Sequence, residues 1–347
     1  PAAMLYTSGT TGNPKGAMLS HGNLAANALA LHRAWGFRPD DVLLHALPIF
    51  HIHGLFVACH CVLLNGSPMI FLPRFDPASV IHSLPRATVF MGVPTYYTRL
   101  LAHPDFNRAA CRNIRLFTCG SAPLLAQTFE EFRVRSGYAI LERYGMTETG
   151  MNTSNPLEGE RRPGTVGPPL PGVSVRIVND RDENLLPGET GQLLVKGDNV
   201  FKGYWRLPEK TAAEFTADGW FRTGDLARMD VDGYVSIVGR AKDLIISGGL
   251  NIYPKEIEGW LDKLEGVLES AVIGVPHPDF GEAVVAVLVA KPGAAPTESA
   301  IIDALKAQIA GFKIPKRVFV AGELPRNTMG KVQKELLRRD YATTFQV

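Results

Sequence analysis

The chain has 347 residues, a net charge of +2 at pH 7, 46% hydrophobic residues and 20% charged residues. That balance is ordinary for a globular protein and argues against a nucleic-acid surface, and no run approaches the roughly 18 consecutive apolar residues of a membrane span. The length suits about two or three domains, and the cysteines at 59, 61, 111 and 119 form no C-x-x-C pair, so they read as reduced core thiols of a reducing compartment.

A short strand over 2–6 leads straight into Thr7-Ser8-Gly9-Thr10-Thr11-Gly12-Asn13-Pro14-Lys15-Gly16. Glycines let backbone N–H groups turn inward, hydroxyls add donors, and Lys15 adds a compact positive charge, which together suit a polyphosphate. ATP is the leading ligand. The loop is not the Walker pattern, and composition alone equally describes an ordinary surface loop. With so little chain ahead of it and no initiator Met, a preceding region is expected to be missing, together with any targeting signal.

Strands over 42–47, 69–72, 88–93 and 115–119 alternate with helices over 20–35 and 124–136. The alternation predicts an α/β fold with a parallel sheet, whose ligands sit beyond the carboxyl ends of strands, in the turns 48–54, 92–95 and 120–123. From about 164 the texture changes to short alternating strands with Asp-Gly and Pro-Gly turns, an antiparallel β subdomain. At Gly239-Arg240-Ala241-Lys242-Asp243 a new α+β unit begins, with strands over 244–247, 269–275 and 283–290 and helices over 254–263 and 298–310. The expected organisation is a large domain made of an α/β part (1–163) and a β subdomain (164–240), followed by a small mobile C-terminal α+β domain (241–347).

Five runs occur in a telling order: the loop Thr7 to Gly16, Tyr144-Gly145-Met146-Thr147-Glu148, Thr223-Gly224-Asp225, the run 239–243, and Pro325-Arg326-Asn327-Thr328-Met329-Gly330-Lys331. In these the chain resembles the acyl-adenylate-forming synthetases, which include acyl-CoA synthetases, peptide-synthetase adenylation domains and luciferases. The resemblance implies two half-reactions: a carboxylate attacks the α-phosphate of ATP to give an acyl-adenylate and pyrophosphate, and a thiol, that of coenzyme A, then displaces AMP. Both steps gather anionic charge, so fixed donors and cations are the expected catalysts.

Carried over residue by residue, the resemblance implies Thr10 and Glu148 as the Mg²⁺ positions, and Thr7, Ser8, Gly9, Thr11, Gly12 and Lys15 as the phosphate loop. It adds Gly120, Ser121, Ala122, Glu142, Arg143, Tyr144, Gly145 and Thr147 around the nucleotide, Asp225 on the ribose hydroxyls and Arg240 as a further nucleotide contact. Lys331 is implied as the catalytic cation of adenylate formation, Lys242 as a hinge, and Gly248 and Gly249 as the wall of a coenzyme A tunnel. Each residue also has a plain reading: Glu148 as a solvated carboxylate, Asp225 as a turn residue, Lys331 as a surface lysine and Gly248-Gly249 as a bend.

The acyl pocket is expected at His51, His53, Thr95, Arg99 and Met151. Thr95 and Arg99 lie at i and i+4 of the helix after Pro94, on one face. A guanidinium in an apolar pocket demands an anion, which a second substrate carboxylate supplies. The runs 91–99, 141–152 and 200–205 are similar to the malonyl-CoA synthetase branch, implying malonate or methylmalonate. Arg74 is the competing cation. The alternatives are a synthetase for a medium-chain or aryl acid, with Arg99 in solvent, or an inactive fragment retaining only nucleotide affinity. The expected compartment is the cytoplasm or an organelle matrix.

Overall fold

The computed structural model describes residues 1–7, 14–327 and 330–345. Ser8, Gly9, Thr10, Thr11 and Gly12 of the expected phosphate loop, and Thr328 and Met329 ahead of Lys331, lie outside the described residues. The chain divides into two compact units, one of Pro1–Thr223 and Ala227–Ile237, the other of Gly224–Leu226 and Val238–Val347. The division falls slightly ahead of position 241 because a strand runs through it.

The first unit opens on an antiparallel hairpin, β1 (Ala3–Thr7) and β2 (Lys15–Leu19), which pairs Thr7 with Lys15 across the base of the loop. Helix α1 (His21–Ala34) starts at Ser20, whose hydroxyl accepts from the Asn23 N–H while Asn23 Oδ1 accepts from the Ser20 N–H. This reciprocal cap satisfies donors that a helix start otherwise leaves orphaned. There follow β3 (Leu43–His45), a π-helical turn over His53–Cys59, α2 (His60–Asn65), β4 (Met69–Phe71), α3 (Pro77–Ser83), β5 (Val89–Gly92) and α4 (Pro94–Ala102). The run ends with β6 (Leu116–Cys119), α5 (Ala126–Ser136), β7 (Leu141–Met146) and β8 (Gly150–Ser154).

These strands form one sheet in the order β4-β3-β5-β6-β7-β8, parallel as far as β7, with β8 antiparallel. Every residue of β5 and β6 is buried, as expected where helices cover both faces of a parallel sheet. Interlocked rings of Phe90, Tyr97, Phe117 and Phe132 fill one side. Because β3, β5, β6 and β7 are neighbours pointing the same way, the turns after them open at one edge. The expected α/β parallel sheet is present, with its candidate ligand turns side by side.

The β-rich stretch supplies β9 (Val173–Val178), β10 (Gly191–Gly197), a short α6 (Pro208–Ala213), β11 (Phe221–Met229) and β12 (Val235–Arg240), arranged β12-β11-β10-β9. In the second unit come β13 (Ile245–Ser247), β14 (Leu250–Ile252), α7 (Pro254–Leu261), β15 (Val267–His277), β16 (Gly281–Ala290), α8 (Glu298–Lys306), β17 (Arg317–Ala321) and α9 (Lys334–Asp340). Its sheet runs β14-β13-β16-β15, with β17 parallel to β16. Alternation along β16 explains the two layers: Val284, Ala286 and Leu288 pack with Ile257, Leu261, Ile301 and Leu305, while Val285, Val287 and Val289 pack with Leu337.

Candidate active site

At the sheet edge the chain builds a buried cationic cluster. Arg143, on β7, is only 2% exposed, and its Nη2 stands 2.6 Å from Nε2 and 2.8 Å from Nδ1 of His53, itself 2% exposed. Ser121 Oγ lies 3.4 Å from His53 Nδ1. Local backbone makes room for these groups. Gly54 packs so closely on Pro48 that a Cβ would fall 2.2 Å from the Pro48 carbonyl oxygen, and a Cβ on Gly120 would fall 2.3 Å from Arg143 Nη1. Ser121 adopts a left-handed φ of 71°, which carries its hydroxyl back toward the histidine.

The electrostatics are unusual for a protein interior. Burial, followed by repulsion from Arg143, His45 and His51, holds the His53 pKa well below the ordinary value, so the ring is neutral and can accept from the guanidinium. Burial alone lowers His45 to about 4 and also depresses His51. Arg143 falls to about 10 through burial and stays charged at neutral pH. Among the described residues its Nε and Nη1 have no hydrogen-bond partner. A buried guanidinium without a carboxylate is costly.

Arg99 shares α4 with the half-buried Thr95, but Arg99 itself is exposed, as is Arg74. The desolvation that was expected to make Arg99 demand an anion therefore falls on Arg143 instead. Tyr97, Leu100 and Leu101 take the buried stripe of α4. Met151 is buried, its backbone held at both polar atoms by Asn27, which donates to the carbonyl at 2.9 Å and accepts from the N–H at 3.2 Å.

Glu148, in the turn between β7 and β8, is 5% exposed and accepts a 2.9 Å hydrogen bond from the Tyr204 hydroxyl at Oε1. Its backbone carbonyl accepts from the Phe201 N–H at 2.8 Å. Lys15 Nζ lies 5.1 Å from the centroid of the same Tyr204 ring. Glu142 Oε1 accepts from the Gly164 N–H at 3.2 Å, and Tyr144 and Thr147 are both partly buried along the same strand and turn. Among the described residues no group of three or more His, Cys, Asp or Glu could hold a metal alone. One buried carboxylate suits Mg²⁺ when phosphate oxygens and water complete its shell. Glu148 fits that ion. Thr10, its expected partner, lies outside the described residues.

The second unit gathers its own set. Asp225 Oδ1 pairs with Arg240 Nε at 2.8 Å, with the carboxylate buried. Lys331 belongs to the same charged neighbourhood: crowding by surrounding protein, then repulsion from Arg240, lowers its pKa to about 8, although the residue remains exposed to solvent. The Lys331 N–H donates to Asn327 Oδ1 at 3.0 Å and Arg326 Nη1 donates to the Gly330 carbonyl. Lys242 is exposed in a 3₁₀ turn, and Gly248 and Gly249 both hold left-handed φ, at 57° and 78°. A Cβ on Gly249 would meet nothing within 4 Å.

Sequence reasoning named Lys15, Glu148, His53, Ser121, Arg143, Asp225, Arg240 and Lys331, but left out Tyr204 and Asn27. Tyr204 stood in the quoted run 200–205 without a role. The four cysteines are free, and Cys119, which ends β6 immediately before Gly120, is buried with its pKa pushed well above the ordinary thiol value by burial and then Glu142.

The first unit thus carries a parallel sheet with the buried carboxylate Glu148 at its edge, and the second an α+β fold with Asp225, Arg240 and Lys331. Residues 1–205 match the AMP-binding enzyme family and residues 256–331 the AMP-binding enzyme C-terminal domain. The chain belongs to the AMP-binding enzyme family. It is 41% identical to the probable CoA ligase CCL8 of Humulus lupulus over 98% of its own length and 61% of that protein. It is also 41% identical to the mitochondrial malonate–CoA ligase ACSF3 of Mus musculus, over 98% of its length and 64% of that protein. The crystal structure of ATP-bound MatB from Rhodopseudomonas palustris superposes with a TM-score of 0.98 at 57% identity, covering 99% of this chain and 69% of that one. The chain thus spans less than two thirds of the length of these two curated relatives. Among the described residues no helix is long and apolar enough to cross a membrane.

Proposed function

We propose that the protein is an ATP-dependent acid:CoA ligase that activates a small dicarboxylic acid, malonate or methylmalonate, through an acyl-adenylate. The observation that carries the choice of acid is Arg143, a buried guanidinium whose Nε and Nη1 have no hydrogen-bond partner among the described residues, beside the neutral His53 and Ser121. A second carboxylate supplies the missing anion, and a monoacid leaves the charge uncompensated. Arg143 thus serves the acid more than the nucleotide. The similarity to malonate–CoA ligases supports the same reading.

In this reading Lys15 and the phosphate loop hold the polyphosphate, Tyr144 and Gly120 to Ala122 border the adenine, and Asp225 takes the ribose hydroxyls. Glu148 would hold Mg²⁺, which when bound neutralises phosphate charge. Lys331 stabilises charge developing between the acid's carboxylate and the α-phosphate. Gly248 and Gly249 border the path of the pantetheine thiol, and Lys242 serves as the hinge. Four free cysteines suit a reducing compartment, the cytoplasm or an organelle matrix.

The test is ATP- and CoA-dependent hydroxamate formation over mono- and dicarboxylic acids with wild type, Arg143→Met and Arg99→Leu. Arg143→Met is expected to cut kcat/KM for malonate at least ~100-fold, since removing one partner of a buried pair costs about 3–5 kcal/mol, and to spare or raise butyrate activity. Arg99→Leu, at an exposed site, is expected to change malonate only a few-fold, about 1 kcal/mol or less. A large malonate defect in Arg99→Leu with none in Arg143→Met returns the anchor to α4. Wild-type preference for a medium-chain or aryl acid overturns the dicarboxylate reading.

A further inference from the structure

Resting on the reading of Glu148 as the magnesium carboxylate, we propose that Tyr204 is a positioning residue that ties the phosphate-loop cation to the metal carboxylate. Its hydroxyl donates to Glu148 Oε1 at 2.9 Å, and its ring stands under Lys15 Nζ at 5.1 Å, so one side chain touches both charged groups of the phosphate site. Tyr204 is 5% exposed, and its own position is over-determined. The Met18 N–H donates to the Gly203 carbonyl at 2.9 Å and the Trp205 N–H to the Gly16 carbonyl at 2.8 Å, stitching the segment to β2, the stem of the phosphate loop. On the other side Phe201 packs edge-on against the Tyr204 ring at 4.9 Å while its N–H holds the Glu148 carbonyl.

The segment 201–205 therefore bridges two chain regions that carry opposite charge. The hydroxyl fixes the orientation of the carboxylate by donating to one of its oxygens. The ring face offers Lys15 a fixed site of negative quadrupole. Tyr204 itself touches no reacting atom; it holds the groups that do.

The experiment is calorimetric titration of a non-hydrolysable ATP analogue, with and without Mg²⁺, into wild type, Tyr204→Phe, Tyr204→Leu and Glu148→Gln. Tyr204→Phe keeps the ring and loses only the donor: Mg²⁺-dependent affinity is expected to fall about tenfold, as for loss of a hydrogen bond to a charged group. Metal-free analogue binding and the melting temperature are expected to hold. Tyr204→Leu also removes the ring and is expected to weaken metal-free binding a few-fold. Unchanged Mg²⁺ dependence in Tyr204→Phe beside its loss in Glu148→Gln overturns the role of Tyr204. A Tyr204→Phe protein that melts earlier and binds equally less with and without metal also overturns it, as a purely structural contact. Unchanged Mg²⁺ dependence in Glu148→Gln overturns the reading of the carboxylate on which the proposal rests.

Discussion

Lys331 shows how much one side chain's surroundings decide. A lysine with its pKa at about 8 is largely charged below that pH and neutral above it. Its proposed task needs the ammonium. The lowered pKa therefore places the loss of function on the alkaline side: kcat/KM for adenylate formation, followed by pyrophosphate release, should be flat below about pH 8 and decline above it. The free-enzyme profile is the right one to read, because bound phosphates favour the charged form. Lys331→Ala should abolish adenylate formation yet largely spare thioester formation from pre-made adenylate. Equal loss in both half-reactions would remove the residue from its role.

Residue identity was legible where chemistry is tied to a local run. Gly330-Lys331, Glu148 after Tyr144-Gly145, and Asp225 after Gly224 stand out because each motif is contiguous. Burial is not contiguous. Nothing in the run 141–146 says that Arg143 will be sealed from water, because His53 and Gly120 close around it from other turns. Tyr204 was missed for the same reason: its partner lies 56 positions away. Arg99, by contrast, was placed correctly on its helix, but sharing a face with Thr95 did not determine its exposure.

At the scale of elements, the parallel strands were readable from apolar runs with short turns, and α1 from the helical pattern over 20–35, although its serine cap was not read. The π-helical turn His53–Cys59 was not foreseen, since it is short and has no 3.6-residue signature against which to read it. Its consequence is local: the turn seats His53 in the interior with Gly54 pressed on the Pro48 carbonyl. The β6 turn answers from the other side, where Gly120 leaves the space that the guanidinium fills. Gly120→Ala should therefore push Arg143 out of place. The expected result is a loss of about 1–3 kcal/mol in stability, as for overpacking, with a KM for malonate raised more than that for ATP. A variant with normal malonate KM would show that the guanidinium's place is unimportant to acid binding.

At the scale of the molecule, Lys15, Tyr204 and Glu148 of the proposed phosphate site belong to the first unit, whereas Asp225, Arg240 and Lys331 belong to the second, which reclaims Gly224–Leu226 from the middle of a strand. Gly248-Gly249 also belongs to the second unit, and the proposed division of labour predicts that a change there spares the first half-reaction. Gly249→Leu should stop thioester formation while ATP–pyrophosphate exchange continues. Since the site has a left-handed φ and open space around it, Gly249→Ala serves as the control: it brings the backbone strain without the bulk. If alanine and leucine are equally damaging, strain and not a blocked path is the cause.

Cys119 ends a strand next to the turn where an activated acid would lie, and an acyl-adenylate is an electrophile that any thiolate nearby would capture. An enzyme that offers such an intermediate to a soluble thiol must keep its own sulfur from competing. Burial and the neighbouring Glu142 do this by keeping Cys119 protonated, and the buried Cys61 and Cys111 and the half-buried Cys59 are likewise shifted upward by burial. On the proposed reading, thiols held protonated in this way do not compete with the coenzyme A thiol for the activated acid.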